Sequence, residues 1–227
     1  MAEYENGSET RNRILDACVT LFTDKGYTRT TYADICTLAH VNQGSIYYHF
    51  KKKSELYRLA YERVNEVNYR IAQKLCDGEA AYLPFLLDTF IYWYRYFSEP
   101  SFRQFMADGL AISSALPPEL TTDRRYWGSY WGRCASFIPD WESFSREHCL
   151  ELELCSSIDA TLTRHFQSGA EDRSFRAVAT MELRYYADIF HMRQEHYELA
   201  MRRVNQILDQ SLFSQLPELL RKTRLEL

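Results

Sequence analysis

Apolar residues recur along this chain at intervals of three and four, almost without a break. Ile14, Ala17, Cys18, Leu21 and Phe22 form one stripe, which Gly26 stops. A short second segment opens at Thr30 or Thr31 and turns Ile35, Leu38 and Ala39 inward. A third begins at Asn42 and runs through Ile46 to Phe50, and a fourth runs from Lys53 through Leu56, Leu59, Ala60, Val64, Val67 and Ile71 to Gly78. Residues at these intervals share one helical face; Thr or Asn before such a stripe and Gly after it satisfy the backbone groups that a helix end leaves open. Beyond Gly78 the punctuation comes from Pro84, Pro100, Pro117, Pro118, Pro139 and Pro217. These prolines predict helices over residues 82–97, 99–114, 120–137 and 141–167. Gly169 and Asp172 are expected to end one helix and cap the next. From Phe175 to Leu212 the spacing reads as a single long helix, and Pro217 is expected to open a short terminal one. No run of alternating β-branched residues and no Asn-Gly hairpin signal interrupts the pattern. The prediction is an all-α protein, with a small three-helix unit over residues 1–52 and a larger helical body over 53–227.

Composition changes this picture in three ways. With 227 residues, 46% of them hydrophobic, the chain can bury a sizeable core. Formal net charge is −4, which rules out indiscriminate anion binding by the whole molecule. The charge is uneven, however. Residues 10–58 carry Arg11, Arg13, Lys25, Arg29, Lys51, Lys52, Lys53 and Arg58 against Asp16, Asp24, Asp34 and Glu55, so an anion-binding end is joined to an acidic body. The six cysteines, Cys18, Cys36, Cys76, Cys134, Cys149 and Cys155, show neither a CxxC pair nor zinc-ligand spacing. Together with the lack of a signal peptide, they read as reduced, mostly buried residues of a cytoplasmic protein. The most membrane-like stretch, residues 80–97, contains Pro84, Asp88 and Arg95 and is expected to be an amphipathic core helix, not a membrane span.

The stretch "VNQGSIYYHFKKKSEL", Val41 to Leu56, is where core-forming logic fails. Tyrosines at successive positions point to different sides of a helix, and Gly44 costs about 1 kcal/mol against Ala in a helix interior. Two short helices joined by "LAHVNQ" and preceded by a longer one have the proportions of a helix-turn-helix, closed by Ile35, Leu38, Ala39, Val41 and Ile46 against Leu15, Val19 and Phe22. If the third helix lies in a DNA major groove, its first residues face base edges. Gln43 can then offer a donor and an acceptor to adenine, and Gly44 allows close backbone approach. Ser45, Tyr47, Tyr48 and His49 can reach phosphates, sugars and thymine methyls. Lys51, Lys52 and Lys53 stand at the start of the fourth helix, where the dipole already favours a phosphate.

At these residues the chain resembles the TetR family of bacterial transcriptional regulators. The resemblance runs from about Arg11 to Leu59 through "ILDACVTLFTDKGYTRTTYADICTLAHVNQGSIYYHFKKKSELY" and is carried by "GY", "TT", "DI" and "GSIYYHFKKKSEL" at the family's spacing. It implies an N-terminal DNA-binding domain followed by a helical ligand-binding and dimerisation domain. It further implies that Thr31 caps the second helix near a phosphate, that Gln43, Gly44 and Ser45 form the groove-facing start of the recognition helix, and that Tyr47, Tyr48, His49 and Lys53 contact groove and backbone; the capping Asn42 and the helix-start Lys51 complete the expected DNA-binding set. Three positions depart from the family pattern. Ala33 stands where a basic residue is frequent, so one contact is expected to be missing. His40 stands where Gly is usual in the turn and is expected in the left-handed region. Lys52 stands where Ser, Asn or Asp usually caps the fourth helix.

In the body, aromatics are dense from Tyr92 to Trp131. At helical spacing they read as core; a pocket between helices lined by Trp93, Phe105, Met106, Trp127, Tyr130 and Trp131 is the functional alternative, with Gly128 and Gly132 as a movable wall. Such a pocket suits a small hydrophobic effector. Residues 143–167 and 172–212 are the expected homodimer helices, and the resemblance implies a four-helix bundle made of two from each subunit. Asp188, His191 and Glu195 share a face of the expected long helix, but without ExxH motifs they make no di-iron site. HExxH, P-loop, GxSxG and DDxxD motifs are all missing, so neither an enzyme nor a cofactor or metal is expected. These observations point to a ligand-responsive regulator, most simply a repressor that binds a palindromic operator as a homodimer. The alternative is a helical small-molecule-binding protein that no longer reads DNA.

Overall fold

The computed structural model describes residues 2–114, 132–167 and 173–225, and among these all regular structure is helical. In chain order the α-helices are α1 (Ala2–Lys25), α2 (Tyr32–Ala39), α3 (Gln43–His49), α4 (Lys53–Leu75), α5 (Leu83–Ser98), α6 (Pro100–Ser114), α7 (Trp141–Glu147), α8 (Cys149–Gln167), α9 (Phe175–Ile189), α10 (Gln194–Ile207) and α11 (Phe213–Leu225). A 3-10 turn, Gly132–Ser136, precedes α7, and a π turn, Leu208–Leu212, joins α10 to α11.

The described residues fall into two compact units. The first holds the chain up to Val64 together with α6, which starts just after Glu99. Here α1 packs on α2, α3 and α6, and α2 packs on α3. Ile14, Leu15, Ala17, Cys18 and Phe22 of α1 meet Ile35, Ala39, Ile46 and Phe50 in a fully buried core. Leu38, expected in that core, is 45% exposed. In a helix as short as α2 the buried face is already filled by Ile35 and Ala39, and Leu38 lies beside that face instead of on it. Gly26 ends α1 at φ 83°, and His40 ends α2 at φ 52°, the left-handed conformation expected of it.

The second unit takes the chain from Asn65 to Ser98 and the described residues from 132 onward. In it α5 packs on α9 and α10, and α8 packs on α9. The core includes Leu87, Phe90, Ile91, Trp93 and Tyr96 of α5 with Val178, Ala179, Leu183 and Tyr186 of α9. Among the described residues no helix is long and apolar enough to cross a membrane.

Three expected helices are divided differently. Of the helix expected over 120–137, residues 120–131 lie outside the described residues and Gly132–Ser136 form the 3-10 turn. The stretch 141–167 breaks at His148, which caps α7 at φ −108° and ψ 29°. The long helix expected from Phe175 to Leu212 breaks at His191. Its φ is 50°, its N–H donates to Asp188 O at 3.2 Å, and the Met192 N–H reaches back to Ala187 O at 2.9 Å. This paired closure usually uses Gly at the left-handed position, so no sequence punctuation marks it. It also separates Asp188 from Glu195, which therefore do not share a helix face. Gly169 and Asp172 lie outside the described residues; the N-cap of α9 is Ser174, whose hydroxyl accepts from Ala177 N–H at 3.3 Å. Pro217 sits inside α11 and does not open it. As the fifth residue of α11, it cannot supply the helical hydrogen bond to the carbonyl of Phe213.

Candidate nucleic-acid interface

The exposed end of the first unit is built by two helix caps. Thr31 Oγ1 accepts from Asp34 N–H at 3.1 Å, and the Asp34 carboxylate accepts from Thr31 N–H at 2.7 Å, a reciprocal capping box at the start of α2. Lys25 Nζ donates to the same carboxylate at 2.6 Å. Hydrogen bonds from Lys25 and from Thr31 hold the Asp34 carboxyl down to about 2. Thr31 is exposed, as a phosphate contact requires.

Asn42 caps α3. Its Oδ1 accepts from Ser45 N–H at 2.8 Å and from Ser45 Oγ at 3.2 Å. A seven-residue helix depends on such a cap, since half of its N–H groups lack a helical partner. Ile46 and Phe50 are buried and anchor α3, while Asn42, Gln43, Gly44, Tyr47 and Tyr48 are exposed. Tyr48 is 85% exposed. Gln43 Nε2 donates to Tyr47 Oη at 3.1 Å, and the Tyr47 ring lies 5.4 Å from Tyr32 on α2. His49 is half-buried between the Tyr48 and Phe50 rings. Of the sequence-selected residues, Gln43 and Tyr47 are thus joined to each other and, through Tyr32, to α2, while Thr31, Asn42, Gly44 and Tyr48 are exposed.

The lysines divide. Lys51 and Lys52 are exposed. A lysine cannot accept a hydrogen bond, so Lys52 gives α4 no side-chain cap; Glu55 reaches back to the Lys51 N–H at 2.9 Å. Lys53 is turned inward: its Nζ donates to Tyr27 O at 2.5 Å and stands 4.3 Å from the Tyr27 ring centroid. Burial pushes its pKa down, against the opposing pull of Asp108 and Asp34. Sequence reading gave no hint of the partner interaction, in which the Asp108 carboxylate of α6 accepts the Tyr27 N–H at 2.6 Å. Tyr27, two residues past the end of α1, is therefore held by α4 through its carbonyl and by α6 through its N–H.

The aromatic residues selected in the body do not converge. Phe105 and Met106 are buried in the first unit, where Phe105 packs on Tyr57 and Tyr61. Trp93 is buried in the second, where its Nε1 donates to Glu182 and its ring packs on Tyr96 and Phe166. Trp127, Tyr130 and Trp131 lie outside the described residues. Among the described residues no cluster of three or more His, Cys, Asp or Glu could hold a metal ion.

Residues 14–60 match the family described as bacterial regulatory proteins, tetR family. The chain is 39% identical over 69 residues to the HTH-type transcriptional regulator TtgR of Pseudomonas putida, covering 30% of this chain and 33% of that protein. It is 41% identical over 61 residues to IcaR, the biofilm operon negative transcriptional regulator of Staphylococcus epidermidis, covering 27% and 32%. The matches span about a third of these relatives' length. The solved structure of SCO7222, a TetR from Streptomyces coelicolor, shares the fold at a TM-score of 0.51 and 15% identity, over 81% of this chain and 99% of that one. Residues 14–60 are thus similar to the N-terminal domain of the tetR family of bacterial regulatory proteins.

Proposed function

We propose that the protein is a ligand-responsive transcriptional repressor that reads a palindromic operator in the cytoplasm as a homodimer. The observation that carries this reading is the face of α3: Ile46 and Phe50 anchor the helix, while Gln43, Tyr47 and Tyr48 are left in solvent beside exposed Lys51 and Lys52. No core explains a Tyr at 85% exposure next to a capped, glycine-containing helix start; a major groove does. The names of TtgR and IcaR, both transcriptional regulators, support the same reading. Repression is released by a small hydrophobic effector bound in the helical body. A hundredfold release requires the effector to favour the non-binding state by about 2.7 kcal/mol.

The test is selection of the purified protein on a random duplex library at near-physiological salt. The expected product is a palindrome with half-sites about one helical turn apart or slightly more. Gln43→Ala is expected to relax preference at one base pair in each half-site by about 1–3 kcal/mol. A selection that returns no sequence, both alone and after an effector screen, leaves a helical small-molecule-binding protein.

A further inference from the structure

The side chain proposed above to read a base edge is also one that another residue constrains. Gln43 is the first residue of α3, and its Nε2 donates to Tyr47 Oη one helical turn on, at 3.1 Å. Tyr47 is in turn not free to swing. Its ring rests against Tyr32 of α2, with centroids 5.4 Å apart. Burial together with the neighbouring Tyr47 raises the Tyr32 pKa. The brace therefore runs from Tyr32 on α2 through Tyr47 to the Gln43 carboxamide.

A carboxamide at a groove edge has two ways to pair. It meets adenine with one acceptor and one donor, because adenine shows N7 and the N6 amino group. It meets guanine with donors alone, because guanine shows N7 and O6. An unconstrained Gln can turn either way. When one Nε2–H is tied to Tyr47, the amide cannot turn both N–H groups to a single base, and its oxygen has to be accommodated.

We propose that Tyr47 is a positioning residue that fixes the Gln43 carboxamide to accept adenine and reject guanine at one position of each half-site. This rests on the DNA-reading function proposed above. It assigns Tyr47 a role in base discrimination, distinct from a phosphate contact, and makes Tyr32 its support.

The experiment is the same random-duplex selection, run in parallel on the wild-type chain, Tyr47→Phe, Gln43→Ala and the double variant. The readout is the adenine-to-guanine ratio at every operator position. Tyr47→Phe keeps the ring against Tyr32 and removes only a solvent-facing hydroxyl; circular dichroism and thermal melting verify that each variant folds. The expected result is an adenine preference in the wild type at the position that Gln43→Ala relaxes. That ratio falls about fivefold or more in Tyr47→Phe, the lower end of what a bidentate pair discriminates, and Tyr47→Phe changes nothing further there once residue 43 is Ala. Four outcomes overturn the proposal: another base preferred at that position in the wild type, an unchanged ratio in Tyr47→Phe, a uniform weakening at all sequences, or a change at that or another position in the Gln43→Ala background. A wild-type chain that enriches no sequence removes the DNA-reading function itself, and is distinguished from these because the other four all require an operator.

Discussion

A methyl group at position 44 would stand 3.1 Å from Asn42 Oδ1, the oxygen that caps α3. Gly44 therefore has a reason within the protein, beyond any close approach to DNA: its missing side chain leaves room for the cap. Asp88 shows a different residue-scale tension. Its carboxylate is buried in the second unit, with Arg133 Nη1 donating at 2.8 Å. Burial pushes its pKa up to about 6, with Glu66 and Glu182 adding to the rise and Arg133 opposing it. A raised folded-state pKa means that folding favours the protonated carboxyl. The contribution is present in full below the unfolded value of 3.8 and is lost as pH rises through about 6. Asp88→Asn is accordingly expected to flatten the pH dependence of the urea midpoint between those two values; an unchanged slope would show that another group sets it.

At the scale of elements, the unit proposed to meet DNA owed its legibility to short-range chemistry. Thr31 and Asn42 cap the helices they precede, and His40 is left-handed, all within a few residues of the signals that announce them. The candidate interface could be read from Gln43, Tyr47 and Tyr48 because exposed aromatics on a short helix conflict with core periodicity. What could not be read depends on partners far along the chain or on breaks without punctuation. The tie from Tyr27 to Asp108 spans 81 residues, and no periodicity connects them. Lys53 was legible as a cation at a helix start but not as one turned toward Tyr27 O. His148 and His191 end helices without Gly or Pro, so the body read as fewer, longer elements. The Tyr27 tie also predicts its own measurement. Asp108→Ala leaves a part-buried peptide N–H without its acceptor, which costs about 1–3 kcal/mol. Urea unfolding of the full chain is expected to show that loss, and a change below about 0.5 kcal/mol would mean that water replaces the carboxylate.

For the whole molecule, a palindromic operator requires two recognition helices and hence a two-fold partner. The helices proposed for that contact carry apolar residues in solvent. Leu150 and Leu154 lie one turn apart on α8 at 62% and 54% exposure, with Ser157 and Thr161 continuing the line. Tyr185 on α9 is also largely exposed. A line of leucines followed by small side chains lets a second helix approach closely. Leu154→Arg is expected to convert the proposed dimer to monomer in sedimentation equilibrium and to weaken palindrome binding more than half-site binding. A variant that still sediments as a dimer would place the interface elsewhere.

The clamp on Tyr27 has one more consequence, and it belongs to spectroscopy. An amide proton that faces a carboxylate oxygen at 2.6 Å resonates apart from amides bonded to ordinary helix carbonyls, and it exchanges with solvent only when that carboxylate lets go. Tyr27 therefore supplies a single resonance in the intact chain whose shift and exchange rate report how often α6 parts from the end of α1, with no label attached to either helix.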